Sequence, residues 1–444
     1  MRNKRQVVLL LAGLTSFGVM AGCGGGGGEG GEVKIALLAP KTTPPAPPAS
    51  LQGVGESFVR VFNVAVDAIN DKGGINGQRL VGVISDTGGN ETVAMNQLRD
   101  LVENQGVIAV VGPARSAEVK AAFPIAKELE VPIISPSSTS HDLSSADDGG
   151  FMFRNVPDDN IQSIAMAHYM SQPAPSGLGV TSAVIIHERG AYGDGLKGSF
   201  TAAFSHFGGT VESEVAYDTD LDTDAKVQAV VDQLNAIDPA PTMVVLIALE
   251  QDGLKIVNKW AMSGQPPGLK WFMTDGARSG NFLRDAPTQM KDMCGTASTF
   301  PVSGLAYVAL KSAYEAVNND TLEDQVYAPN VWDAVHLFAA AMVQQQHDDA
   351  GAPLGGGGLR DALSKVSKDG QVLRAEEWRT LIGQIRNGAD IDYDGAAGPN
   401  DFDQQGQAIG PFEVWCIDIN ESSSTRTFRQ ARFYETAEIE SLIQ

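Results

Sequence analysis

Cysteine is nearly absent, with 3 residues in 444, and histidine is sparse, with 6. Positive charge is also short: 32 Lys and Arg stand against 54 Asp and Glu, a formal net charge of −22. So acidic a chain speaks against nucleic acid, whose binders carry basic patches. It names no ligand, because net charge governs solubility more than fold. Three cysteines with no nearby histidine do not complete a zinc set. Nucleophilic and metal-hydrolase signatures are missing too. There is no G-x-S-x-G elbow, no S-x-x-K paired with K-T-G and no H-E-x-x-H. His168 and His336 fall in amphipathic helical stretches, where packing or solvation explains them. Nothing invites an enzyme or a cofactor.

What is present begins at the N-terminus. Arg2, Lys4 and Arg5 form a positive region, and Val7 to Val19 is apolar but too short to span a bilayer comfortably. Small residues then precede a cysteine in Met20-Ala21-Gly22-Cys23. This reads as a signal peptide over 1–22. It resembles the lipobox of bacterial lipoproteins, with Met20 where Leu is preferred. The resemblance implies that Cys23 carries a lipid; an ordinary signal peptide is the alternative. Residues 23–31, almost all glycine, form a flexible tether.

From residue 33 short apolar strands alternate with helical stretches. "VKIALLAP" is a strand, and "ESFVRVFNVAVDAIN" puts Phe58, Val61, Phe62, Ala65 and Ile69 on one helical stripe. "LVGVISD", "VIAVVGP" and "VPIISPSS" are further strands, each separated by a helix. The grammar restarts after residue 158 with "SAVIIHE", "TVESEVAY", "TMVVLIA" and "LKWFMTD". Such alternation means βαβ units and parallel sheets. Two runs, in a chain longer than one core usually holds, mean two α/β lobes. A helical region and a late strand, "GPFEVWCIDI", follow.

Two motifs invite other readings. Gly193, Gly195 and Gly198 in "AYGDGLKGSF" match G-x-G-x-x-G. A dinucleotide fingerprint needs its first glycine at the strand end, but six residues intervene after Ile186. A tight loop entering a helix capped by Asp194 fits better, with Gly195 allowing close approach. Asp390, Asp392, Asp394, Gly395 and Asp401 match a calcium loop. The segment that follows, "FDQQGQAIGPFEV", lacks the second helix an EF-hand requires.

The order of segments resembles the type I periplasmic binding proteins, in particular the branched-chain amino acid and amide-binding group that serves ABC importers. The resemblance rests on "AINDKGGINGQRLVGVISDTGGN", "GVIAVVGPARSAEVKAAFPIAKELEVPIISPSSTS", "FMFRNVPDDNIQ", "YGDGLKGSF", "YAPNVWDAV" and "IDYDGAAGPNDFDQQG". It covers most of residues 32–420. It implies two Rossmann-like lobes joined by a three-segment hinge around a ligand cleft. Lobe 1 would comprise 32–157 plus 301–386, and lobe 2 would comprise 158–300 plus 387–444. Crossings are expected near 155–160, 298–303 and 385–392. The implied protein is an extracytoplasmic solute-binding lipoprotein of the periplasm or cell envelope, not an enzyme. Its implied partners are an amino acid or amide, an ABC permease and the membrane. A sensor of the same fold, without transport, is the alternative, and a hydrolase without recognised motifs is a remoter one.

The resemblance also implies the site. Ser116 and Ala117 after "VVGPA", and Ser138 and Thr139 after "PIIS", would hold a carboxylate through hydroxyls and helix N-terminal N–H groups, without a buried cation. Tyr192 would pack on the ligand, and Asp275 would meet its ammonium. Leu249 and Glu250, at the end of "LIALE", depart from the aromatic that the family's binders of aliphatic amino acids carry there, and Glu250 would add negative character suited to a cationic or amide ligand. The plainer readings are turn residues, a surface aromatic and a helix cap. The long Pro-rich "KTTPPAPPASLQG" departs from the family pattern. Cys294 and Cys416 read as a disulfide or as two buried thiols.

Overall fold

The computed structural model describes residues 31–41, 51–145, 147–219, 221–263, 268–319, 321–322, 326–420 and 422–443. The signal peptide, Cys23 and nearly all of the glycine tether and the Pro-rich stretch lie outside them.

The first run builds β1 (Glu32–Ala39), α1 (Gln52–Asn70), β2 (Arg79–Asp86), α2 (Glu91–Glu103), β3 (Ala109–Val111), α3 (Ser116–Glu128), β4 (Ile133–Ser135) and β5 (Met152–Arg154). All five strands pair in parallel in the order β2-β1-β3-β4-β5. The run "IALLA" in β1 is apolar on both faces because both are covered. Ile35 and Leu37 pack into one cluster with α1, while Ala36 and Leu38 pack into another with α2 and α3. The expected α1 stripe, Phe58, Val61, Phe62, Ala65 and Ile69, is fully buried. Each large side chain there contributes about 1.5–3 kcal/mol of burial.

The second run builds α4 (Asp159–Ser171), β6 (Ser182–Glu188), α5 (Ala191–His206), β7 (Thr210–Tyr217), α6 (Asp224–Asn235), β8 (Met243–Ile247), α7 (Glu250–Met262), β9 (Lys270–Met273), α8 (Gly280–Asp285) and β10 (Cys294–Ser298). The chain then returns to the first lobe with α9 (Leu305–Val317), α10 (Ala328–Asp348), α11 (Gly356–Val366), β11 (Gln371–Leu373), α12 (Trp378–Arg386) and β12 (Ile391–Tyr393). It ends with β13 (Phe412–Asn420), β14 (Thr425–Tyr434) and α13 (Thr436–Ser441). The second sheet has seven strands in the order β14-β13-β10-β9-β8-β6-β7. Its β13 and β14 run antiparallel, so a hairpin closes one edge of a parallel sheet. Cys294 and Cys416 stand opposite each other in the β10–β13 register and form a disulfide.

The third crossing comes later than 385–392, and residues 387–408 do not belong to lobe 2. β12 pairs with β11, and residues 406–408 bond to β5 through Arg154 N–H to the Gly406 carbonyl and Ala408 N–H to the Arg154 carbonyl. The return to the second sheet falls near Pro411, whose carbonyl accepts from Thr299 N–H in the second crossing. The aspartate-rich segment serves this return. Buried Asp333 of α10 accepts the Ala396 and Ala397 N–H groups, both at 2.8 Å, and the Tyr393 hydroxyl at 3.0 Å. A Cβ at Gly395 would lie 2.1 Å from Asp333 Oδ2, which accounts for that glycine. Among the described residues no group of three or more His, Cys, Asp or Glu is placed to hold a metal.

Candidate ligand-binding cleft

The C-terminal ends of both parallel sheets open onto one cavity of about 340 Å³ between the lobes. Open α/β sheets bind ligands at this position. The first lobe supplies Leu51, Val54, Gly89 and Asn90 with the first residues of α2, Glu91 and Thr92, and Ala114 through Ala117 with Ser137. The second supplies Glu188 through Tyr192, Thr219, Leu249, Asp275 and Gly276, and Tyr327 closes the cavity from the N-terminus of α10.

Asp275 follows β9 and is 5% exposed. Its Oδ1 accepts from the Tyr192 hydroxyl and from Gln162 Nε2, each at 2.9 Å, and its Oδ2 accepts from the Tyr327 hydroxyl. Tyr327 is held with φ 60°, in the left-handed region. A non-glycine residue is costly there unless its surroundings fix it. Burial, and then the charge of Asp275, push both tyrosine hydroxyls well above their usual range. A second carboxylate lies nearby. Asp159, in the first turn of α4, is fully buried, and neither of its oxygens has a hydrogen-bond partner. Its pKa is raised well above the usual range by burial and then by Asp275; Arg154 offsets less than Asp275 adds. The Thr139 hydroxyl faces Asp159 without a formed hydrogen bond.

Across the cavity the N-terminus of α3 presents Ser116 and Ala117. Its first-turn N–H groups and the helix dipole suit an anion. Ser116 Oγ also accepts Ser140 N–H at 3.3 Å. Before Ser116, Arg115 brings a cation that is 8% exposed, contrary to the expectation of a carboxylate site without one. Its Nη1 donates to the Gly89 carbonyl at 3.0 Å, and its Nη2 lies 3.7 Å from Glu188 Oε2 on the opposite lobe. Burial pushes Glu188 up to about 7, only partly countered by Arg115.

Ser116, Ala117, Tyr192 and Asp275 therefore share one cavity. Ser138 does not reach it: its hydroxyl is buried against Ser135 and the Ala114 carbonyl, bracing the β4 loop, and Ser137 lines the wall instead. Thr139 sits behind the wall beside Asp159. Glu250 starts α7, bonds Asn281 and Gln251, and faces a neighbouring crevice. Sequence reading passed over Asp159, Tyr327, Arg115 and Glu188. The glycine motif belongs to α5, which starts at Ala191, earlier than expected. Asp194 is not its cap but sits inside the first turn, accepting Gly190 N–H at 2.9 Å. A Cβ at Gly193 would lie 2.0 Å from the Glu188 carbonyl, so this glycine allows helix and strand end to meet.

The model of the "Receptor family ligand binding region" matches residues 59–420. The chain belongs to this family of type I periplasmic binding proteins. As a family member it resembles the chemotactic signal transduction substrate-binding protein BasB of Halobacterium salinarum, 25% identical over 80% of each chain. It is also 28% identical to Leu/Ile/Val-binding protein homolog 3 of Brucella melitensis over 46% of this chain, a match spanning 52%, about half, of that relative's length. Among solved structures, a leucine-binding protein of Thermotoga maritima superposes with TM-score 0.71 at 20% identity, covering 91% of this chain and 99% of the other. A Rhodopseudomonas palustris solute-binding protein solved with benzoate gives 0.70 at 17%, covering 90% and 96%. At such identities these neighbours show the fold alone. Among the described residues no helix is long and apolar enough to cross a membrane.

Proposed function

We propose that the protein is an extracytoplasmic solute-binding lipoprotein that closes its two lobes on an amino acid and delivers it to an ABC importer. The observation that carries this reading is the buried carboxylate of Asp275 on the cavity wall, with Asp159 buried behind it and neither in an ion pair among the described residues. A buried charge needs a counter-charge. An α-ammonium supplies it, and the α3 N-terminus with Ser116 and Ala117 receives the α-carboxylate opposite. The site binds and does no chemistry. Closure is selected because the ligand touches both lobes only when they are shut. Its relatives include named Leu/Ile/Val-binding proteins, which supports an amino acid as cargo.

The test is a thermal-shift panel of amino acids, amides and simple carboxylates, followed by calorimetry. Amino acids should raise the melting temperature by mass action, and their decarboxylated or deaminated analogues should not. A protein that responds to benzoate and to no amino acid would overturn the reading. BasB, whose name places it in chemotaxis, favours a second reading as a sensor. Deleting the gene separates the two: loss of uptake supports transport, and loss of taxis with uptake intact supports sensing. Cys23→Ser should move the protein from the membrane to the soluble fraction.

A further inference from the structure

We infer that Arg115 and Glu188 form a clip that selects a ligand whose side chain ends in a carboxamide or ureido group. The inference rests on the amino-acid reading of the cleft. Both residues line the cavity, and both are buried, at 8% and 2% exposed. They belong to opposite lobes, one capping α3 and the other ending β6. Their separation of 3.7 Å exceeds the roughly 2.7–2.9 Å of a charge-assisted N–H···O bond. Each has hydrogen-bonding capacity left over. A guanidinium carries five N–H donors, and Arg115 spends one on the Gly89 carbonyl. Glu188 Oε2 has no hydrogen-bond partner.

The chemistry of the gap narrows the side chain. A second carboxylate would meet Arg115 but would be repelled by Glu188, with Asp252 and Asp194 also close enough to act on that site. A cationic end would meet Glu188 but face Arg115. An aliphatic end would leave two charged groups desolvated and poorly paired, which is costly. A planar amide fits both. Its oxygen and nitrogen are about 2.3 Å apart by standard bond lengths. Lying across the gap, the oxygen accepts from Arg115 while the N–H donates to Glu188. The apolar wall of Leu51, Val54, Leu249 and Val326 takes the methylene stem. Since the clip exists only when the lobes meet, such a ligand favours the closed form.

The experiment measures binding of L-glutamine, L-citrulline, L-glutamate, L-lysine and L-norleucine by calorimetry to the intact protein. Glutamine or citrulline should bind at least about 100-fold tighter than norleucine, as sites built to hydrogen-bond a ligand reject its apolar isostere strongly. Glu188→Leu and Arg115→Met should each shrink that ratio to below tenfold. Glu188→Gln, which keeps the shape and an acceptor, should retain a larger ratio than Glu188→Leu. A cooperative melt, still shifted upward by norleucine, shows that each variant is folded. If norleucine binds as well as the amides, or the variants leave the ratio intact, the clip is refuted while the amino-acid site stands. If no amino acid binds at all, the site reading falls and the clip with it.

Discussion

Replacing Asp275 by Asn removes one charge and little volume. In the wild type its oxygens receive Tyr192, Gln162 and Tyr327, and Asp159 repels it. The variant keeps one acceptor for Tyr192 and Gln162 and turns an amide toward Tyr327, disturbing about one hydrogen bond, worth roughly 1 kcal/mol. Relief of repulsion with Asp159 opposes that loss. The ligand-free melting temperature should therefore change by only a few degrees. Binding should suffer far more. Truncating one member of a buried charge pair costs about 2–5 kcal/mol, so Kd should rise roughly 30- to 4,000-fold at about 1.4 kcal/mol per decade. Calorimetry with the amino acid that binds wild type most tightly measures the first quantity, and scanning calorimetry without ligand measures the second. A variant binding within threefold of wild type would refute the view that Asp275 meets the ammonium.

Other outcomes follow from the same geometry. Glu188 titrates at about 7 when folded, against 4.5 unperturbed. The native state therefore holds a proton that the unfolded state has lost, and the stability this gives falls as pH rises from 4.5 to 7. Glu188→Gln should remove that fall, on the order of 3 kcal/mol between pH 4.5 and 7, in urea melts of the ligand-free protein; an unchanged pH dependence would contradict it. Because Asp159 is also raised, an arriving ammonium should expel protons, seen as binding heats that vary with buffer ionisation enthalpy. Tyr327→Phe should weaken binding about tenfold by removing one donor to Asp275. Gly193→Ala must push the Glu188 carbonyl away, costing about 1–3 kcal/mol in a chemical melt. Cys294 and Cys416 are 122 residues apart, so losing their bridge should destabilise by roughly 5 kcal/mol on the chain-entropy account.

The βαβ alternation was legible because strands covered on both faces read as unbroken apolar runs, as in "IALLA" and "MVVLI", while their helices carry one stripe. Ser116, Ala117, Tyr192 and Asp275 were legible because they stand where strands end and because the segments around them resemble family motifs. The rest depended on contacts between distant segments. Asp158 caps α4 with its side chain, as "PDD" invites, and nothing in those letters says that its neighbour Asp159 is the buried one. Tyr327 precedes a helix by one residue, a place that reads as a cap; its reach to Asp275 appears only once α10 docks. Arg115 and Glu188 look solvated in sequence because a charge is assumed to face water. Here two lobes cover both. The late position of the third crossing was hidden because residues 391–393 carry no strand signal of their own and gain one only beside residues 371–373.

The edge hairpin has a consequence for how the chain matures. β10 lies in the middle of its sheet, yet one of its two neighbours, β13, emerges more than a hundred residues later, after the whole first lobe has been revisited. Until then the open side of β10 is an unpaired strand edge, a row of free backbone N–H and C=O groups of the kind that recruits stray strands. A polypeptide interrupted between Ser298 and Phe412 would therefore present a nearly finished second lobe with an open strand edge. Quality control of such fragments should depend on recognising that one flank.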